Sequence, residues 1–334
     1  MPKRSPAEQL DLAISAMLSR PQVRPVPRPG PRLAKLLTLV RPLRDLPRPE
    51  FKAALKSDLQ RRIIMNEAAA PSPAPVKPPA FRRPNFPNIA PYFLVQGAPR
   101  FIDFLVSAFD GTERIRVPSP DGSIMHAEVA IGDSVIEMGD ANEQYPSRPM
   151  TIHLYVPDSD ATYAHAIEAG ATSVYSVADQ HWGDRQGCVM DPFGNRWYIA
   201  TPKSWVPGEQ GIRAVQPFLH LSDAHNFIPL VEAALGAKAM GVAKSPEGHI
   251  LHATIEIAGA TLEIDEAHGE FQPTPFYLHV YVPDTDALYA QALAAGAKAV
   301  TPPYTAPYGE RSATFEDPFG NTWFLATYLG ADAV

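Results

Sequence analysis

The sequence predicts an α+β fold built from two tandem copies of one domain, preceded by a basic, proline-rich arm. Residues 88–201 align with residues 214–327 at a constant offset of 126 without a gap, and 39 of the 114 aligned pairs are identical. Identity over that length indicates an internal duplication. Each copy has the size of an ordinary domain, so we expect two domains rather than a solenoid, over residues 88–202 and 214–328.

The two parts of the chain carry opposite charge. Residues 1–87 hold 17 Lys and Arg against 6 Asp and Glu, a net charge of +11, whereas residues 88–334 hold 12 against 30, a net charge of −18. The first part also contains 17 of the 37 prolines. This asymmetry predicts a basic helical arm over 1–70, a Pro-rich linker over 71–87 and an acidic body.

Short amphipathic segments predict helices in the arm. Ser5-Pro6-Ala7-Glu8 has the spacing of a helix-capping box, and apolar residues recur at every fourth position from Phe51 to Ile63. Three roles for the arm stay open: an appendage that packs on the body, a docking element for a protein partner, or a contact with an acidic surface. Nucleic acid is not the expected partner, because the positive arm can rest on the acidic body.

Composition excludes several classes of protein. The sequence has no apolar run long enough to span a membrane, and its first apolar stretch carries Glu8 and Asp11, which is untypical of a signal peptide. The single cysteine, Cys188, permits neither an internal disulfide nor a thiolate zinc site. We therefore expect a cytoplasmic protein, either a monomer or a homodimer. Serine-hydrolase and P-loop motifs do not occur in the sequence.

Each copy is predicted to contain two units of one strand, one helix and three further strands. In the second unit of copy one, apolar residues at 152, 154 and 156 alternate with His153 and Tyr155, which is typical of a strand. Asp158 or Asp160 is expected to cap the following helix, which ends at Gly170. A turn at Asp191-Pro-Phe-Gly194 then leads into the last strand.

Five segments of the first copy form a recognisable set of motifs: 101–104, 121–128, 132–137, 169–171 and 191–197. These motifs resemble the vicinal oxygen chelate superfamily, which includes glyoxalase I, bleomycin-resistance proteins and extradiol dioxygenases, and within it the PhnB-like branch. The resemblance covers residues 88–327. It implies that each copy pairs its two βαβββ units into an eight-stranded cup around a cavity.

Alternation along the strands sorts the side chains by face. Across the turn at Gly132-Asp133, Glu128 is expected opposite Glu137 on the face that lines the cup. Two carboxylates that close repel each other unless one is protonated or a cation lies between them. In copy two, His252 is expected opposite Asp265 as a hydrogen-bonded pair.

The resemblance also implies where a metal would bind. The superfamily takes ligands from four strands, and alignment carries these positions onto Ala90, Glu137, Thr151 and Tyr198 in copy one and Gln216, Glu263, Tyr277 and Phe324 in copy two. Only Glu137, Gln216 and Glu263 have ligating side chains. The usual site is therefore incomplete and no cofactor is expected, although a shifted His/Glu site could still bind Zn, Ni, Fe or Mn.

Histidine and aromatic side chains on the cup faces are the candidates for ligand binding. Arg185 and Arg311 follow acidic residues in matching loops and are candidates for an anionic ligand group. The full candidate set is Tyr92, His126, Glu128, His153, Tyr155, Trp182, Arg185, Tyr198, Phe218, His220, His252, Tyr277, His279, Tyr308 and Arg311.

Three functions are compatible with these residues. The first is a small-molecule-binding protein without the usual metal site. The second is a divalent-metal-dependent lyase or dioxygenase that uses a shifted His/Glu site. The third is a ligand-sensing regulator that docks a protein partner through the arm. The fold alone does not choose among them.

Overall fold

The computed structural model describes residues 81–203, 212–269 and 271–330. The described residues do not include the predicted arm, the linker up to residue 80 or the partner contacts proposed for the arm. The described residues all belong to one compact unit. Within the described segments, no helix combines the length and the apolar character needed to cross a membrane.

The described part of the first copy contains eight strands and two helices. They are β1 (Ile89–Val95), α1 (Ala98–Phe109), β2 (Thr112–Pro118), β3 (Ile124–Ile131), β4 (Ser134–Asp140), β5 (Thr151–Tyr155), α2 (Ser159–Glu168), β6 (Thr172–Asp179), β7 (Asp184–Met190) and β8 (Arg196–Pro202).

The described part of the second copy repeats this order. Its elements are β9 (Val215–Leu221), α3 (Ala224–Leu235), β10 (Lys238–Lys244), β11 (Ile250–Ile257), β12 (Ala260–Glu266), β13 (Tyr277–Tyr281), α4 (Thr285–Ala294), β14 (Lys298–Ala306), β15 (Glu310–Glu316) and β16 (Thr322–Tyr328). The predicted α+β class with four βαβββ units is confirmed.

The strands form two eight-stranded mixed sheets, and each sheet takes one unit from each copy. Their orders are β14-β15-β16-β13-β1-β4-β3-β2 and β10-β11-β12-β9-β5-β8-β7-β6. The resemblance implied pairing of the two units within a copy, and the observed pairing is across copies. Strand β1 is parallel to β4 in its own unit, and its other edge pairs antiparallel with β13. Strands β5 and β9 meet in the same way.

Side-chain caps fix where the helices begin. Asp158 accepts a hydrogen bond from the backbone N–H of Ala161 at 3.0 Å, which settles the choice between two predicted caps for α2. At α1, Asp140 on β4 accepts from the backbone N–H groups of Gly97 and Ala98, each at 2.9 Å. The cap therefore ties the start of α1 to the strand that carries Glu137.

The Asp-Pro-Phe-Gly-Asn-x-Trp motif is a buried hydrogen-bond network. The carboxylate of Asp191 accepts from the backbone N–H groups of Phe193 and Asn195, from the Asn195 amide and from Trp197 Nε1, at 2.8–2.9 Å. The Asn195 amide oxygen accepts from the backbone N–H of Met150 at 3.0 Å. The network thus joins the β7–β8 turn to the start of β5, and the second copy repeats it at Asp317.

Substitution of Asp191 by Asn should destabilise the protein by about 2–4 kcal/mol, because an amide cannot accept all of these hydrogen bonds and leaves buried donors unpaired. Urea unfolding followed by circular dichroism measures the change. Asp121→Asn is the matched control, since Asp121 caps an exposed turn by accepting from Ser123. Equal destabilisation by the two substitutions would contradict a structural role for the motif.

Two candidate ligand sites on the sheet faces

Each sheet has one apolar face and one face that carries the polar candidates. On β3 and β4, Val129 and Met138 are buried in the core with the helices, while Glu128 and Glu137 lie directly opposite each other on the other face. We call that face of the sheet containing β1 the first cup, and the corresponding face of the sheet containing β5 the second cup.

The centre of the first cup is built from both copies. His279 on β13 places Nδ1 2.7 Å from Oε2 of Glu137 on β4, an ion pair by distance rather than an aligned hydrogen bond. Two residues further along β13, the Tyr281 hydroxyl donates to Glu310 on β15. His126 on β3 completes the group. Burial opposes a charge on His279, but the attraction of Glu137 and then of Glu310 outweighs it and raises the pKa of the imidazole above its ordinary value.

The second cup has the same centre with the copies exchanged. His153 Nδ1 lies 2.9 Å from Oε2 of Glu263, and the Tyr155 hydroxyl donates to Oε1 at 3.1 Å. His252 Nε2 lies 3.6 Å from the same carboxylate, and the buried Asp184 completes the group. Burial raises the pKa of Glu263, but His153 and then His252 overcome it, so the pKa lies well below its usual range.

The two groups correspond position by position through the offset of 126. We call them the paired constellations: His126, Glu137, His279, Tyr281 and Glu310 in the first cup, and His252, Glu263, His153, Tyr155 and Asp184 in the second. Only the last position differs, and both residues there are acids. Of the histidines that both copies share, His153 and His279 meet a carboxylate supplied by the other copy. His126 and His252 lie beside a carboxylate of their own copy.

A second carboxylate distinguishes the first cup. Glu128 is bonded by Arg83 Nη2 at 2.5 Å and lies 3.3 Å from His126 Nε2. Burial acts to raise the pKa of Glu128, but these two partners hold it below its ordinary value. The equivalent residue of the second cup is Thr254.

A second imidazole–carboxylate pair distinguishes the second cup. His220 Nδ1 lies 2.7 Å from Oδ1 of Asp265, so the expected pairing of His252 with Asp265 is wrong: His252 turns towards Glu263 instead. Among the described residues, neither Nε2 of His153 nor Nε2 of His220 has a hydrogen-bond partner, and both atoms are buried.

The residues at the superfamily's metal positions do not fit a divalent metal. Pairing across copies groups Ala90, Glu137, Tyr277 and Phe324 in the first cup and Gln216, Glu263, Thr151 and Tyr198 in the second. The first set offers one ligating side chain. In the second set, the Gln216 amide is bonded to Thr261 at 2.8 Å. The candidates Glu137, Gln216 and Glu263 thus lie on two different faces.

Aromatic rings border both constellations. In the first cup, Tyr92 packs on Phe324 at 5.2 Å between centroids, and its hydroxyl lies 3.1 Å from His126 Nδ1. Tyr277 stacks on Phe324 at 6.1 Å. In the second cup, Phe218 contacts Tyr198 at 5.7 Å and His252 at 5.9 Å. These contacts give each site an apolar wall.

Two predicted ligand-binding residues, Arg185 and Arg311, face away from these centres, whereas Trp182 and Tyr308 lie near the acids Asp184 and Glu310. Arg185 alternates with Asp184 on β7 and so faces the helices, where it makes two bonds with Asp160 of α2 at 2.5 and 2.6 Å. Arg311 makes the equivalent pair with the helix residue Asp286. Trp182 and Tyr308 occupy equivalent hairpin turns and are 53% and 63% exposed. Ion pairing explains the arginines without a ligand.

Sequence reasoning missed the roles of several residues near the sites. Asp184 and Glu310 are not among the predicted site residues, although alternation with Gln186 places Asp184 on the cup face. Arg83 and Phe86 were assigned to the linker. The unpaired second carboxylate at Glu128 was the signal that a cation had to come from elsewhere in the chain.

The raised pKa of His279 predicts a pH dependence of stability. Its contribution is fully present below about pH 6.5, the ordinary value of an unfolded histidine, and is lost as the pH rises through the folded value. Glu137→Gln should therefore flatten the fall of stability above about pH 6.5, measured as urea midpoints against pH. Glu256→Gln removes a carboxylate of β11 that bonds to the Gly259 turn and serves as the control. An unchanged pH profile in Glu137→Gln would refute the assignment.

Comparison with known proteins agrees with this geometry. A model of the Glyoxalase/Bleomycin resistance protein/Dioxygenase superfamily matches residues 89–199 and 222–325. An uncharacterized protein of Mycobacterium bovis is 42% identical over 127 residues, which are 35% of this chain and 84% of the relative. An uncharacterized protein of Mycobacterium tuberculosis matches equally well over 75% of its own length.

A solved structure shows the same fold. Glyoxalase I from Zea mays superposes with a TM-score of 0.57 and 16% identity, covering 71% of this chain and 92% of the maize protein. A PhnB protein from Bacillus cereus also matches, with 13% identity and a TM-score of 0.29 over 34% of this chain and 97% of its own. The family match spans more than half of the chain, so this protein belongs to the Glyoxalase/Bleomycin resistance protein/Dioxygenase superfamily.

Proposed function

We propose that this protein binds a small molecule on its cup faces and acts by binding rather than by the usual metal chemistry of its superfamily. One observation carries the proposal. Both cups keep the paired constellation of buried polar side chains, while the positions of the superfamily's metal ligands hold residues such as Ala90, Thr151 and Phe324.

The second cup contains buried polar atoms that have no hydrogen-bond partner among the described residues. Buried polar atoms in proteins almost always have a hydrogen-bond partner, so unpaired ones point to a water or a ligand. Among the described residues, three such atoms are found here, on His153, Gln186 and His220. In each ring the carboxylate holds Nδ1, which leaves Nε2 free to meet a ligand group.

The surroundings suggest the class of ligand. Phe218 contacts His220 at 5.0 Å and His252 at 5.9 Å, so an aromatic face lies beside the imidazoles. The lowered pKa of Glu263, caused by His153 and His252 against the effect of burial, keeps that carboxylate ionised. An apolar wall with a few fixed polar groups and negative charge favours a neutral or cationic aromatic molecule over an anion.

Ligand-observed NMR with a library of neutral and cationic aromatic fragments tests this proposal. We expect fragments that bind the wild-type protein and bind about ten-fold more weakly to His220→Leu, which gives the second cup the residue that the first cup has at Leu94. Leu251→Ala is the control, because Leu251 is exposed and alternates with the cup-facing His252. A lack of binding fragments, or equal binding by His220→Leu, would refute a ligand site there.

A second candidate function is a divalent-metal lyase or dioxygenase that uses a shifted site. It is favoured by the grouping of His126, Glu128 and Glu137, whose ligand atoms all lie within 4.8 Å of one another. Imidazole and carboxylate ligands suit Zn, Fe, Ni or Mn. Against it, the Glu128 carboxylate is already bonded to Arg83 at 2.5 Å.

Elemental analysis decides between the two functions. After dialysis against Zn, Ni, Fe and Mn in turn, we expect the wild-type protein to retain only substoichiometric metal, because its carboxylates are paired with protein cations. Glu137→Gln reports on the first cup and Glu263→Gln on the second. Stoichiometric metal that either substitution removes would replace binding with metal-dependent catalysis as the proposed function.

A further inference from the structure

The segment ahead of β1 lies against the first cup. Phe86 is 3% exposed, and its ring contacts those of His279 at 5.9 Å and Tyr281 at 5.5 Å. The segment is bonded to the sheet on both sides of Phe86: the backbone N–H of Tyr328 donates to Phe81 O, and that of Tyr281 donates to Asn88 O, each at 2.8 Å. Residues 81–87 were predicted to be linker, but in the structure they cover the paired constellation of the first cup.

Arg83 of this segment presents its charge to the first cup. Its guanidinium bonds to Glu128 at 2.5 Å, and the guanidinium carbon lies 4.2 Å from the centroid of the Phe86 ring. A planar cation is therefore held between a buried carboxylate and an aromatic face. This combination of a charge-assisted hydrogen bond and a cation–π contact is specific for guanidinium-like groups.

Arg83 neutralises one of two buried carboxylates that face each other. Glu128 and Glu137 lie opposite each other, and both are buried, at 2% and 3% exposure. Two such carboxylates remain ionised together only when cations neutralise them. His279 faces Glu137, and Arg83 bonds to Glu128.

The second cup lacks each part of this arrangement. At the offset of 126, the counterpart of Glu128 is Thr254, the counterpart of Arg83 is Glu209, and that of Phe86 is Ile212. Carboxylate, cation and aromatic ring are thus not repeated at the equivalent sequence positions ahead of and within the second copy.

We propose that the first cup is a recognition site for a planar cation next to a flat apolar group, such as an aryl amidinium or aryl guanidinium, and that Arg83 with Phe86 is the occupant supplied by the chain itself. The inference rests on the proposed function, namely that the cup faces bind small molecules. A free ligand of this class must displace the Arg83 guanidinium from Glu128.

Covalent attachment makes the built-in occupant a strong competitor. A group tethered beside its site has an effective concentration of about millimolar or higher. The wild-type protein should therefore bind an external amidinium only weakly. Removal of the Arg83 side chain should vacate the place of its cation while leaving Glu128 and the Tyr92 wall in position.

Isothermal titration calorimetry with benzamidine, an aryl amidinium, tests the inference. We expect Arg83→Ala to bind benzamidine about ten-fold more tightly than the wild-type protein, since the vacated carboxylate regains a charge-assisted bond. The double variant Arg83→Ala/Glu128→Gln should lose this gain. Arg116→Ala is the matched control, because Arg116 forms a comparable two-bond ion pair with Glu113 on an exposed strand.

Several results would overturn the inference. One is a folded Arg83→Ala that binds benzamidine no better than Arg116→Ala, and another is a gain that persists without Glu128. If Arg83→Ala does not fold, Arg83→Lys keeps the charge without the planar fork and should bind benzamidine more tightly than the wild-type protein. An unchanged affinity in Arg83→Lys would then overturn it.

The same titrations separate this inference from the proposed function. Benzamidine binding that His220→Leu abolishes and Glu128→Gln does not belongs to the second cup, which overturns the inference and supports the proposed function. Binding that depends on Glu128 alone supports the inference, whatever the fragment library shows for the second cup. If no variant binds benzamidine, the inference fails, and the second cup is still judged on the neutral fragments.

Discussion

The antiparallel joints of β1 with β13 and of β5 with β9 are the constraint on which the rest of the structure depends. Each joint satisfies the free edge of a four-stranded unit, whose backbone groups would otherwise remain unpaired. It also decides which side chains meet. Because copies are exchanged at the joints, His279 reaches Glu137 and His153 reaches Glu263. A pairing of units within each copy would instead bring His153 to Glu137 and His279 to Glu263.

The two joints are related by the duplication, so the cups began with the same polar centre and later changes can be identified by comparison. At one pair of positions the first cup has Leu94 and the second has His220, and Asp265 was added or kept as its partner. In the first cup, Glu128 appears together with the cation that bonds to it. One cup therefore has buried imidazole nitrogens without described partners, while the polar centre of the other is covered by its own chain.

Much of the fold followed from the sequence, because alternation and turn residues report on local geometry. The faces of β3 and β4 and the opposition of Glu128 and Glu137 required nothing more. The exchange of units could not be predicted, since an exposed strand edge fits the equivalent edge of either copy. Arg83 was missed for a related reason: proline-rich sequence indicates extended backbone, but not which surface that backbone contacts. Arg185 was misjudged because its neighbour Asp184, one residue away, faces the opposite side.

One contact between buried residues explains part of the charge asymmetry of the chain. Arg83 belongs to the part with a net charge of +11, and Glu128 and Glu137 to the part with −18. Burial of two facing carboxylates is unfavourable unless a cation is fixed beside them, and here the basic part of the chain supplies it. This contact would form with no nucleic acid or membrane present. The positive charge of this segment is therefore explained first by the buried carboxylate that Arg83 neutralises, before any external partner is considered.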